Sequence, residues 1–160
     1  MDAKKNSVCI LFGPPSDPSA DSAVLSRFFT LPGAHILCGG TTARIGASHL
    51  GKPLAASLSF PDPDVPPVGK LDGADLVTEG IVTMQRVLAL LESGEVPGSD
   101  GAGQIVTMLH AAEKITFFVG TAQNPGHLNA PFPLPDKVQL AEKIEALLQS
   151  MGKETELRTF

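Results

Sequence analysis

Short apolar runs alternate with amphipathic stretches along the chain. Val8–Phe12, His35–Cys38, Leu54–Leu58, Ala74–Val77 and Ile115–Val119 are short, mostly apolar and bounded by Gly or Pro, which predicts strands. Glu154–Leu157 is a weaker strand candidate at the end of the chain. Helical periodicity fills the intervals. Asp21–Phe29 follows the turn-rich Gly13–Ser19 stretch, and Thr42–Leu50 ends at Gly51, a natural helix-stop residue. Gly80–Leu91 places Ile81, Met84, Val87, Leu88 and Leu91 on one face, and Ala102–Ala112 does the same with Ile105, Leu109 and Ala112. Asp136–Met151 is the clearest helix: Val138, Leu140, Ile144, Leu147, Leu148 and Met151 form its stripe, with Asp136 as N-cap and Gly152 beyond its end.

Strands apolar on both faces and separated by helices describe a parallel sheet covered on two sides. The expected fold is therefore a three-layer, Rossmann-like α/β domain with a mostly parallel sheet of 5–6 strands and room for one antiparallel edge. One domain spans 1–160, with residues 1–6 expected to be flexible. The segment 59–70, carrying Pro61, Pro63, Pro66 and Pro67, is expected to be a stiff surface connection, because neither flank is long enough to fold alone.

Composition narrows the function. Twelve basic against 17 acidic residues give a net charge of −5, and no basic cluster exists beyond Lys4-Lys5. Nucleic-acid binding by counterion release needs such clusters, so that class is excluded. Only 18% of residues are charged while 42% are hydrophobic, a lean charge inventory that suggests a covered surface and hence a homo-oligomer. No apolar run approaches the roughly 20 residues of a membrane span, and no signal core opens the chain, so no membrane partner and a cytoplasmic location are expected. Cys9 and Cys38 each lie in an apolar run and are expected to be small buried hydrophobes; Cys38, beside a helix start, is also a weak nucleophile candidate. His35, His49, His110 and His127 lack metal-ligand spacing, so no metal site is expected.

Ligands of open parallel sheets bind at the carboxyl ends of the strands. Four strand-ending loops are polar and glycine-rich: Gly13–Asp17, Gly39–Thr42, Thr78–Gly80 and Gly120–Pro125. In a parallel sheet all four would open on one edge. Gly39-Gly40-Thr41-Thr42 is the sharpest of them: two glycines allow a tight turn and close backbone approach, and two hydroxyls follow at a helix N-terminus. That combination suits a phosphate or carboxylate, because the helix start carries unpaired N–H donors and partial positive charge. A plain strand-to-helix turn capped by Thr is the simpler alternative. Glu79 could act as a general base or accept sugar hydroxyls, or merely neutralise the helix that begins at Gly80. Thr78, Gly80, Gly120, Thr121, Asn124 and His127 complete the candidate ligand contacts, although Asn124 and His127 could equally satisfy their own long loop. Gly46–Lys52 has P-loop spacing, but it sits at a helix end and runs into Pro53, and no G-x-G-x-x-G follows a strand. The residues identify no particular cofactor, which stays unknown.

Leu37-Cys38-Gly39-Gly40-Thr41-Thr42-Ala43, Asp75-Leu76-Val77-Thr78-Glu79-Gly80-Ile81-Val82-Thr83 and Phe118-Val119-Gly120-Thr121-Ala122-Gln123-Asn124-Pro125 together resemble a C-terminal region of bacterial SpoIIE-like (PPM-type) serine/threonine phosphatases. Gly13-Pro14-Pro15 and Gly152-Lys153 fit the same pattern; Pro125-Gly126-His127 departs from the Pro-Ala-His expected there. The resemblance runs from about residue 8 to 158 and implies a companion to a phosphatase domain, in cis or in trans. It does not imply phosphatase activity, which in that family belongs to a separate metal-binding domain that Asp72, Asp75 and Asp100 do not rebuild.

Three functions follow as expectations. The first is a regulatory domain binding a small anionic or phosphorylated ligand and serving a SpoIIE-like phosphatase. The second is an enzyme acting on a phosphosugar or similar metabolite, with Glu79 as general base. The third is an oligomerisation domain.

Overall fold

The computed structural model describes residues 7–52, 55–56, 69–71, 73–78, 80–95, 98, 101–121 and 137–160. Strands are β1 (Ser7–Phe12), β2 (Ala34–Cys38), β3 (Ala55–Ala56), β4 (Gly69–Lys70), β5 (Leu76–Thr78), β6 (Lys114–Val119) and β7 (Glu154–Thr159). Helices are α1 (Asp21–Thr30), α2 (Gly40–Leu50), α3 (Ile81–Ser93), α4 (Gly101–Ala111) and α5 (Lys137–Ser150). The sheet order is β3-β4-β5-β2-β1-β6-β7. Five strands, β5-β2-β1-β6-β7, are parallel throughout, and β3 and β4 add a short antiparallel edge beside β5.

Side-chain alternation divides the core between two helix layers. Val8, Ile10, Phe12, Ile36, Cys38, Ile115, Phe117 and Val119 face α3, α4 and α5. Cys9, Leu11, Leu37, Val77 and Phe118 face α1 and α2. The expected three-layer α/β, Rossmann-like architecture is the one observed. Fully buried Phe12, Phe28, Phe117 and Phe118 anchor the two layers, each contributing roughly 1.5–3 kcal/mol of burial.

Most expected elements are present, and the shifts have local causes. Gly51 closes α2 with φ 66°, as its position after Leu50 predicts. β5 begins at Leu76 instead of Ala74, because the Asp75 carboxylate, not a strand carbonyl, accepts the His35 N–H at 2.7 Å while Gly73 turns with φ 103°. β7 continues past Leu157, since its register with β6 runs on to Val119↔Thr159. Gly69–Lys70, assigned above to the proline-rich connection, is instead strand β4. Only Ala55–Ala56 of the expected strand 54–58 is a strand; Leu54, Ser57 and Leu58 lie outside the described residues. So do residues 1–6, the stretch 59–68 and the N-cap candidate Asp136. Among the described residues no helix is long and apolar enough to cross a membrane.

Candidate functional site

Because β1, β2, β5 and β6 are parallel, the residues following them lie along one edge of the sheet. Gly13, Gly39, Gly80 and Gly120 occupy it, and their backbones interlock. Gly13 N–H donates to the Cys38 carbonyl at 3.3 Å, and Gly39 N–H donates to the Thr78 carbonyl at 2.8 Å. Gly39 turns with φ 125°, a conformation open to glycine and costly for other residues. Gly80 lies so near that a Cβ on it would stand 3.4 Å from Gly39 Cα.

α2 starts at Gly40, two residues earlier than periodicity predicts, so Thr41 and Thr42 lie inside its first turn and Gly39 is the N-cap. Gly39, the N-cap residue, has no side chain to cap the helix, and the first intrahelical bond runs from Ala43 N–H to the Gly39 carbonyl at 2.8 Å. Of the two threonines offered above as a cap, Thr42 makes no capping bond, its hydroxyl having no partner. Backbone N–H groups of Gly40, Thr41 and Thr42 precede that bond and have no place in the helical ladder. Thr42 sits at the third helical position, where a side chain often reaches back to the N-cap N–H. Here the Gly39 N–H is already taken by Thr78. The Thr42 hydroxyl is consequently fully buried without a hydrogen-bond partner, directly under Gly39, where a Cβ would stand 3.0 Å from Oγ1.

Other candidates divide clearly. Thr78 is buried and donates its hydroxyl to Cys38 Sγ at 3.5 Å, so it braces β5 against β2. Gly120 lies across β1 from Gly39 and closes on the β1 loop: a Cβ there would stand 2.0 Å from the Pro14 carbonyl oxygen. Thr121 commits both its N–H (2.9 Å) and its hydroxyl (2.6 Å) to the Phe160 carbonyl, tying the end of β7 instead of facing Gly39. Glu79, Asn124 and His127 lie outside the described residues. The structure thus gathers Gly39, Thr42, Thr78 and Gly80 around one turn and sets Gly120 and Thr121 two strand spacings away, about 10 Å.

Cys38 is not an activated thiol. Complete burial pushes its pKa up to about 12, the Thr78 hydrogen bond opposing only weakly, and its sulfur also lies 3.8 Å from Met84 Sδ. The nucleophile expectation fails because the side chain points into the α3 layer, away from the helix start. Cys9 is likewise raised to about 11 by burial, with Lys114 opposing. Asp17, in the β1 loop, accepts the N–H and hydroxyl of Ser19 at 2.9 and 2.8 Å; these bonds hold its carboxyl below the usual value and make it a turn residue.

Lys137 escaped the sequence reading. The first residue of α5, it folds back over β1, and a Cβ on Gly13 would stand 2.5 Å from its Nζ. Among the described residues no group of three His, Cys, Asp or Glu is placed to hold a metal ion. No family model, curated protein or solved structure matches the chain.

Proposed function

We propose that the Gly39–Thr42 turn binds a small anion, a phosphate or carboxylate group of a metabolite, and that the domain is a ligand-binding module. The carrying observation is the unpartnered, fully buried Thr42 hydroxyl in the first turn of a helix whose N-cap is a glycine. Leaving a buried hydroxyl unpaired costs about 1–3 kcal/mol, and an anion oxygen seated over the first turn would accept from it and from the adjoining N–H groups. Close approach is supported by Gly39 and Gly80, which keep side chains out of the space above the turn. A role beside a SpoIIE-like phosphatase domain, in cis or in trans, is the context that the quoted motifs suggest for such a module.

A binding module fits better than an enzyme. Among the described residues beside the turn, Cys38 is held neutral by burial and the Thr42 hydroxyl has no base against it. Isothermal titration calorimetry with a panel of phosphorylated metabolites and nucleotides tests the proposal. Saturable binding to the wild-type protein that is lost in Thr42→Val supports it; a folded protein that binds no member of the panel rejects it.

A further inference from the structure

We propose that β7 is a self-association edge, through which two copies of the chain join antiparallel into one continuous sheet. β7 ends the sheet, and among the described residues it pairs only with β6. Glu154 N–H donates to the Glu113 carbonyl and Phe160 N–H to the Val119 carbonyl, each at 3.0 Å. Even-numbered residues therefore turn their backbone groups inward to β6. By strand alternation, Thr155, Leu157 and Thr159 turn their N–H and C=O groups outward. A row of such groups that no other described strand pairs is a template for another strand.

The strand's charges select the occupant and the register. A twofold axis at Leu157 makes Leu157 face its own copy as a hydrogen-bonded pair and Thr155 face Thr159 of the second chain. The intervening pair, where side chains stand closest, then sets Glu156 opposite Arg158 of the second chain, twice over. Thr–Thr and opposite-charge pairs are both favourable across strands. Moving the axis by one residue brings Glu156 against itself or Arg158 against itself, so of the three registers centred on 156, 157 and 158 only the one at Leu157 avoids like charges and forms both opposite-charge pairs. Within one chain Glu156 and Arg158 already meet at 3.2 Å on an open face, with side chains 44% and 40% exposed, ready to exchange partners. The strand is thus complementary to itself, which points to a second copy and not to an unrelated peptide.

Sedimentation velocity at about 100 micromolar, where an interface with Kd below about 100 micromolar is more than half assembled, tests this. Wild type is expected to be a dimer. Glu156→Arg and Arg158→Glu each turn two favourable pairs into two like-charge pairs and should weaken association about tenfold or more. Mixed in equal amounts, the two variants complement each other and should recover the dimer. Thr159→Pro removes an outward N–H that the β6 ladder does not use, and it should also give a folded monomer, checked by circular dichroism. A monomeric wild type overturns the proposal. So does a dimer indifferent to all three variants, or a mixture of folded charge variants that stays monomeric.

Discussion

Replacing Thr42 by Val tests the physical premise of the anion site without any ligand. Val has the same branched shape and nearly the same helix propensity, so the change exchanges a hydroxyl for a methyl group. Thr42 is fully buried, and its hydroxyl has no partner. An unpaired buried hydroxyl costs about 1–3 kcal/mol, so removing it should stabilise the ligand-free protein by about 1 kcal/mol or more. For a domain of this size that raises the melting temperature by about 2–4 °C per kcal/mol. Urea denaturation followed by circular dichroism, in a buffer free of phosphate and sulfate, gives the value directly. The same exchange at Thr78 is the internal control. Its hydroxyl donates to Cys38 Sγ, so Thr78→Val should destabilise by about 0.5–1.5 kcal/mol. A stabilised Thr42→Val protein that no longer binds anions would display the exchange of stability for function common at binding sites. Equal destabilisation at both positions would refute the reasoning, because the Thr42 hydroxyl would then have a partner in solution.

Further outcomes follow from the same geometry. Gly120→Ala should cost about 2 kcal/mol or more, read from urea unfolding, since a Cβ meets the Pro14 carbonyl oxygen at 2.0 Å and only backbone movement relieves it. Lys153 donates to the carbonyls of His110 and Ala112 at 2.9 and 2.7 Å, closing the end of α4; Lys153→Ala should lose about 1–2 kcal/mol, and an unchanged midpoint would contradict that role. Cys9 and Cys38, raised by burial to about 11 and 12 against an ordinary 9.0, should resist Ellman's reagent at pH 8 until the protein unfolds. The unfolded chain loses those thiol protons first, so stability is retained below about pH 9 and falls above it, toward about 1.4 kcal/mol per pH unit for each thiol. A denaturation midpoint unchanged between pH 8 and about pH 10.5 would argue against buried thiols.

Legibility in the sequence tracked how local each cause was. Val8–Phe12 is a continuous apolar run and Ile115–Val119 is broken only by Thr116, because helices cover both faces, and α5 carries a full apolar stripe; these elements are readable. Gly69–Lys70 was not, since a Gly-Lys pair has no pattern and exists as a strand only through its ladder with Ala56 and Val77. The early start of α2 was hidden for a related reason: Gly-Gly-Thr-Thr has poor helix propensity, and the bond from Gly39 to the Thr78 carbonyl, from another strand, fixes the turn. At the site, the Gly39–Thr42 motif and the common edge could be read once a parallel sheet was expected. Strand order could not, and it decides that Gly80 abuts Gly39 while Gly120 packs on Pro14. Nor could spacing show that Thr78 and Thr121 spend their hydroxyls inside the protein while Thr42 does not.

The most direct test of the anion site is an NMR titration of the ¹⁵N-labelled protein with inorganic phosphate, followed at individual amides. Saturable shifts centred on Gly40, Thr41 and Thr42, absent from the Thr42→Val protein, are predicted. Shifts that never saturate, or that spread evenly over the surface while this turn stays still, would contradict the account.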